Sequence, residues 1–324
     1  MTDTSFAAAQ QSSETTAGDY FQLMKPKVMS LVVFTGAAGL IAAPGSLDPV
    51  LAFASILAIA LGSGAAGAIN MWFDHDIDAV MARTASRPVP AGKVPREEAL
   101  TLGLVVSALS VCLLAASAGL FAAALLAFAI FFYAVVYTQW LKRTTDQNIV
   151  IGGAAGAFPP TIGWAAATGN APLDAWLMFA IIFLWTPPHF WALALAVNTD
   201  YTRAGVPMLT VTKGAKPTRR AVWFYSLLFI PVAVAPVLTG LGGWAYLAVS
   251  ALGGAVFLLL ALRILRSQAG DEDMSDRDRK TAMSLFGFSI LYLFLIFAAL
   301  IAEHGFGLYA PVLAEPLIAG GLVS

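Results

Sequence analysis

The chain has 324 residues, 59% of them hydrophobic and 11% charged, with a mean hydropathy of +0.79. That is too apolar for an ordinary soluble domain and makes the membrane the natural solvent. Eighteen Lys and Arg against 19 Asp and Glu leave a formal charge of -1, so no overall field recruits nucleic acid.

Met1 to Tyr20 is polar, carries Asp3, Glu14 and Asp19, and has neither Lys nor Arg. It therefore fits neither a transit peptide nor a cleavable signal, and residues 1–24 are expected to be a disordered cytoplasmic tail. Residues 25–304 then form a single all-α domain, and 305–324 a short periplasmic tail. A bilayer crossing takes about 20 mostly apolar helical residues. Nine runs qualify: 28–44, 50–73, 99–117, 119–140, 149–168, 175–197, 221–239, 244–262 and 282–302. Spans three and four are separated by little more than Ala118-Gly119, but together they are too long for one crossing, which favours a hairpin. The expected architecture is nine helices around a central cavity opening near the cytoplasmic face.

Under this partition every Lys and Arg falls before span one or between spans two and three, four and five, six and seven, or eight and nine. The opposite loops, such as Pro44 to Pro49 and Gly169 to Asp174, have none. The positive-inside rule puts the N-terminus in the cytoplasm and the C-terminus outside, as in a multi-pass bacterial inner-membrane protein. Cys112, the lone cysteine, lies in an apolar run and is expected as a small packing residue. Gly62, Gly64 and Gly67 in span two, and Gly152, Gly153 and Gly156 in span five, thin one side of each helix for close packing.

The most informative segment begins inside span two. Asn70, Asp74 and Asp78 are spaced by four, so on a continuing helix they stack on one face. Such acids repel one another unless they share a cation, and oxygen ligands at this spacing suit Mg²⁺ bound together with a substrate's phosphate oxygens. Helix C-termini favour cations, not anions, so the acids are more than a helix end. Arg83 and Arg87 could grip the same diphosphate. Asp76 points away from the stripe, and His75 is expected to be solvated.

Asn70-xxx-Asp74-xxx-Asp78 followed by Arg83 and Arg87-Pro88 resembles the first aspartate-rich motif of the UbiA-type intramembrane prenyltransferases. Lys25-Pro26-Lys27 resembles that family's segment ahead of span one. Gln147-Asn148 to Gly153, Phe158-Pro159-Pro160, Gly163-Trp164, Trp185-Thr-Pro-Pro-His189-Phe-Trp191 and Asp200-Tyr201-xx-Ala204-Gly205-Val206-Pro207-Met208 are similar to its protoheme-directed branch. Two departures stand out. Quinone-directed relatives carry a second Asp-xxx-Asp pair after span six, whereas Ala204 stands four residues after Asp200. That leaves open whether Asp200 binds a second Mg²⁺ or only positions Lys and Arg partners. Asp146 replaces an expected proline in a solvent loop.

The resemblance implies farnesyl transfer from farnesyl diphosphate to a vinyl group of protoheme in the lipid bilayer, with water quenching the resulting cation, pyrophosphate leaving, and a heme A synthase as the next acceptor of the product. Asp74 and Asp78 would hold Mg²⁺ with Asn70 as ligand or orienter, and Lys25, Arg83, Arg87, Lys142 and Arg143 would clamp the diphosphate. Tyr137, Asn148, Trp191 and Tyr201 are expected in the substrate pocket, the aromatic rings as cation–π partners. His189, Asp200, Asp74 and Asp78 are the candidate catalytic residues. His189 follows Pro187-Pro188, which predicts a broken or kinked helix lining a cavity; iron ligation, proton transfer or a hydrogen bond across helices is open to it, the family context favouring one of the first two. Prenylation of an aromatic quinone precursor is the rival within the enzyme class. A secondary transporter is the rival outside it, disfavoured because the acids cluster at one face and no internal repeat is visible.

Overall fold

The computed structural model describes residues 15–313 and 317, with the side chains of residues 198–200 outside that set. Helix α1 (Ala17–Leu23) falls within the expected tail. It is started by a capping box between Thr16 and Asp19, and Leu23 at its end is fully buried. It bends by 55° into α2 (Pro26–Ala42). There follow α3 (Pro49–Phe73), α4 (His75–Val80), α5 (Arg96–Ala118) and α6 (Leu120–Phe131), which runs on as a π-helix over Phe132–Leu141. The rest comprises α7 (Asn148–Thr168), α8 (Leu173–Ala196), α9 (Asn198–Arg203), α10 (Leu209–Thr212), α11 (Ala215–Val234), α12 (Pro236–Thr239), α13 (Trp244–Arg266) and α14 (Asp276–Gly305).

Among the described residues there is no strand. Eight helical segments are long and apolar enough to cross a membrane, or nine when the bent α1–α2 pair counts as one. The chain is thus a polytopic membrane protein, and the helices coincide with the nine expected runs. Local chemistry sets their ends. Asp48 accepts from Val50 N at 2.9 Å and Pro49 opens α3; Ser275 accepts from Asp278 N at 3.2 Å and lets α14 begin before its apolar stretch. Gly119 takes φ 87° between α5 and α6, which makes the expected hairpin break.

Close packing depends on missing side chains. A Cβ on Gly39 would lie 2.0 Å from the Pro160 carbonyl oxygen, and one on Gly163 2.0 Å from that of Gly36, so α2 and α7 touch backbone to backbone. One core joins α7, α8, α11, α13 and α14 around Phe229, Phe257 and Phe297; a second joins α3, α5, α6 and α7 around Ile59, Leu126 and Phe158. The exposed Leu109, Phe224, Leu252 and Leu259 belong to the apolar exterior expected against lipid.

Two local expectations are corrected. Cys112 is exposed on the outer side of α5 and takes no part in the core. Helix α8 is continuous through Pro187 and Pro188, both buried, so the diproline does not break it. Neighbouring helices hold it in register: Trp185 Nε1 donates to the Ser289 carbonyl of α14 at 2.8 Å.

Candidate active site at the basic end of the bundle

The stripe of span two persists through the helix end. Asp74 is the C-cap of α3, yet its N–H still donates to the Asn70 carbonyl at 2.9 Å, and Asp78 N donates to the Asp74 carbonyl at 2.8 Å. The four-residue spacing therefore keeps Asn70, Asp74 and Asp78 on one buried face, the two carboxylates 0% and 2% exposed. Asp76 lies on the other side, 53% exposed, and binds both guanidinium nitrogens of Arg143 at 2.7 and 2.8 Å. That pairing holds its carboxyl well below the usual range. His75 departs from expectation: it is half-buried, and its Nδ1 is buried without a hydrogen-bond partner.

The stripe is met by cations from elsewhere in the chain. Lys25 Nζ donates to Asn70 Oδ1 at 2.5 Å, and Asn70 Nδ2 donates to Asp74 Oδ2 at 2.6 Å and Thr138 Oγ1 at 3.1 Å. Lys142 Nζ reaches the same Asp74 oxygen at 2.5 Å, Arg143 lies 3.5 Å from the other, and Arg87 pairs with Asp78 at 2.7 Å. The last carbonyls of α3 are covered as well, Trp72 by Arg96 Nε at 3.0 Å and Phe73 by Arg143 at 3.3 Å. Arg83 donates to the Tyr201 hydroxyl at 3.2 Å and lies over its ring, while Tyr137 is within electrostatic reach of Asp74, Arg83 and Tyr201. Set against Asp74, Asp76 and Asp78, the cations Lys25, Arg83, Arg87, Lys142 and Arg143 leave an excess of positive charge suited to an anion.

Lys25 has a backbone to match its position. It is the non-glycine residue with positive φ among those described, at φ 54° and ψ 58°. Its stem lies against Gly67, whose Cβ would stand 3.4 Å from Lys25 Cδ. The small face of α3 thus admits the chain turn at Met24-Lys25 as well as a neighbouring helix. Beneath this residue lies an apolar cavity of about 130 Å³ among α2, α3, α6, the π-helix and α7. Its wall includes Lys25, Val32, Gly67, Leu126, Tyr133 and Ile162. The cavity is bordered by these helices on one side of the bundle.

The sequence pattern does not single out Tyr133 and Thr138. The π-helix brings them in: Thr138 Oγ1 donates to the Tyr133 carbonyl five residues back at 2.8 Å, and Tyr133 stacks on Tyr137 with centroids 5.5 Å apart. A second tyrosine four residues before Tyr137 was the available signal. Tyr137 itself packs where Gly152 has no side chain, a Cβ there falling 2.2 Å from its ring.

Other expected residues are used differently. Asn148 is buried and ties the loop after the π-helix to the segment after α9, donating to the Lys142 and Pro207 carbonyls at 3.3 Å each; its Oδ1 has no partner. Trp191 is packed edge-on against Tyr225 of α11 in the helix core, apart from the charged group. His189 faces α14, its ring held between Trp185 at 4.1 Å and Phe286 at 4.7 Å. Ser289 Oγ donates to the Phe286 carbonyl at 2.6 Å, so at 2.7 Å it accepts from His189 Nδ1–H, which leaves Nε2 as the lone-pair nitrogen. The Asp200 side chain lies outside the described residues.

Among the described residues no group of three His, Cys, Asp or Glu side chains is placed to hold a metal. Asp74 and Asp78 still fit a hard divalent cation that takes two protein carboxylates and completes its shell with water and phosphate oxygens. The Asn70 oxygen is already occupied by Lys25, which favours orientation over ligation for this side chain.

The profile of the UbiA prenyltransferase family matches residues 31–288. The chain is 59% identical over 310 residues to a protoheme IX farnesyltransferase of Hyphomonas neptunium, covering 94% of this chain and 98% of that protein. Among solved structures it is similar to a digeranylgeranylglyceryl phosphate synthase, with a TM-score of 0.71, 18% identity, and coverage of 88% and 97% of the two chains. It is also similar to a UbiA homolog from Archaeoglobus fulgidus bound to DMAPP and Mg²⁺, with a TM-score of 0.64, 17% identity, and coverage of 87% and 99%.

Proposed function

The chain belongs to the UbiA prenyltransferase family, and on that premise we propose that it transfers a farnesyl group from farnesyl diphosphate to a vinyl group of protoheme IX. The observation that carries the reading is the double position of Lys25. Its ammonium joins the Asn70–Asp74 group, while its stem borders the apolar cavity. An allylic diphosphate has the same two parts, a charged head and an apolar tail.

Lys25, Arg83, Arg87, Lys142 and Arg143 bind the diphosphate oxygens, and Asp74 and Asp78 would hold Mg²⁺, with Asn70 orienting Asp74. Bound there, the metal would neutralise charge that builds on the leaving pyrophosphate. As the C1–O bond of the farnesyl group breaks, the cations take up the leaving group's charge. The stacked Tyr133 and Tyr137 offer ring faces to the allylic cation. The apolar wall keeps stray water from it. The vinyl group supplies the electron pair for the new C–C bond, water adds to the resulting cation, and one water proton leaves. His189 Nε2 is the lone pair assigned to accept that proton, and Ser289 fixes the tautomer. Asp200, Asn148, Tyr201 and Trp191 are assigned to shaping the heme side.

In the cell, the basic end faces the cytoplasm of a bacterial inner membrane and the product passes to a heme A synthase. The test is incubation of the detergent-purified protein with farnesyl diphosphate, Mg²⁺ and protoheme, followed by mass spectrometry for a hydroxyethylfarnesyl adduct. A folded sample that leaves protoheme unmodified yet prenylates an aromatic quinone precursor would transfer the reading to that acceptor.

A further inference from the structure

We infer that Gly156 is a chain-length gauge: its missing side chain leaves open a stretch of the path that a farnesyl tail takes and a shorter prenyl group does not reach. The inference rests on the assignment of the apolar cavity to the prenyl tail.

Glycines of α7 have evident packing reasons, with one exception. A Cβ on Gly152 would meet the Tyr137 ring at 2.2 Å, one on Gly153 the Thr186 side chain at 2.9 Å, and one on Gly163 the Gly36 carbonyl at 2.0 Å. A Cβ on Gly156 meets nothing within 4 Å, and the residue does not have a positive φ. Neither close approach nor backbone conformation explains a residue that weakens a helix interior. Gly156 is exposed and borders the cavity with Ala155 and Pro159 of the same helix.

The helix packing explains why space opens there. Helices α2 and α7 are in backbone contact at Gly36–Gly163 and Gly39–Pro160, and the last approach toward the charged end is Gly36 on the Pro159 carbonyl at 3.5 Å. One turn further, a Cβ on Gly156 meets nothing within 4 Å, and the cavity it borders is lined by Val28, Met29 and Val32 of α2. The cavity runs from Lys25 to Val32 along α2, about 10 Å at 1.5 Å per residue. Val32, the cavity residue of α2 furthest along the helix from Lys25, packs against the core cluster that contains Leu126 and Ile162, both also in the cavity wall. A tail fixed by its diphosphate at Lys25 therefore passes Gly156 on its way down, and a branched side chain at 156 would stand in its path.

The experiment compares wild type, Gly156→Ala and Gly156→Leu with dimethylallyl, geranyl and farnesyl diphosphates, reading kcat/KM for transfer to protoheme. Binding of inorganic pyrophosphate with Mg²⁺ serves as a control for the charged end. The expected result for Gly156→Leu is a loss of about tenfold or more with farnesyl diphosphate, a change within about threefold with dimethylallyl diphosphate, and unchanged pyrophosphate binding. Gly156→Ala should fall between. Equal losses for all three diphosphates, or none, would overturn the gauge. The same series, competed against radiolabelled farnesyl diphosphate without heme, reads the gauge independently of the acceptor. If wild type binds all three diphosphates but never modifies protoheme, only the acceptor assignment fails.

Discussion

Lys25 donates to Asn70 Oδ1 at 2.5 Å from a left-handed backbone, across 45 residues of sequence. Left-handed conformation in a residue with a Cβ costs about 1–2 kcal/mol, so the surrounding structure must hold the turn in place. What it gains is a cation fixed between the acid stripe and the apolar cavity.

Replacing that ammonium while keeping the stem tests its part in binding. Lys25→Met should raise the KM for farnesyl diphosphate about tenfold or more, in keeping with the loss of a charge-assisted contact. Helical content and thermal unfolding in detergent should be unchanged. A KM within about twofold of wild type would remove Lys25 from the diphosphate site.

Burial separates the three aspartates. Asp74→Ala or Asp78→Ala should lower turnover by about 100-fold or more, the scale of losing a preorganised charged group, with the protein still inserted in the membrane. Asp76→Asn should stay within about threefold, because an exposed ion pair contributes little. Steady-state kinetics on the three variants checks the order; an Asp76 loss as large as that of Asp74 would contradict the assignment.

The acids are already neutralised by protein cations, Asp74 by Lys142 and Arg143 and Asp78 by Arg87. Mg²⁺ alone must displace those partners, and pyrophosphate alone must draw them off the acids. Each ligand should therefore bind about tenfold more tightly in the presence of the other, a coupling of about 1.4 kcal/mol. Calorimetric titration of Mg²⁺ with and without pyrophosphate measures it, and equal affinities would show that the ion pairs do not exchange. Chelation should stop turnover and added Mg²⁺ restore it.

At the opposite end of the bundle a buried acid has a structural task. Glu303 accepts from Gly243 N at 2.8 Å and Tyr246 N at 2.9 Å, capping the start of α13. Glu303→Ala strips two buried donors of their partner and should destabilise the fold by about 3 kcal/mol. Farnesyl transfer per folded molecule should be unaffected. Unfolding in mixed micelles and active-site-normalised kinetics separate the two effects; a selective loss of kcat would give Glu303 a role in the reaction.

The sequence by itself determined the nine apolar runs, the end of the bundle that carries the cations, and the stripe at Asn70, Asp74 and Asp78. Each is local: burial in lipid selects runs of about 20 residues, and helical spacing aligns every fourth side chain. The pattern reached even Gly119, where a short interruption and the excess length of one element required a turn. The tertiary structure alone decided who meets whom. Lys142 on Asp74, Arg83 on Tyr201 and His189 on Ser289 join residues 68, 118 and 100 apart, and no local period encodes such pairs. The sequence offers Trp191 for the substrate pocket and His189 for catalysis, but helix packing sends one to Tyr225 and the other to α14. The π-helix that presents Tyr133 and Thr138 was equally hidden, since an i to i+5 ladder leaves the hydropathy of a span unchanged. Gly156 and Gly163 show the same limit within one helix: identical residues about two turns apart, Gly163 spent on backbone contact with α2 and Gly156 bordering a cavity with no atom within 4 Å of where its Cβ would stand.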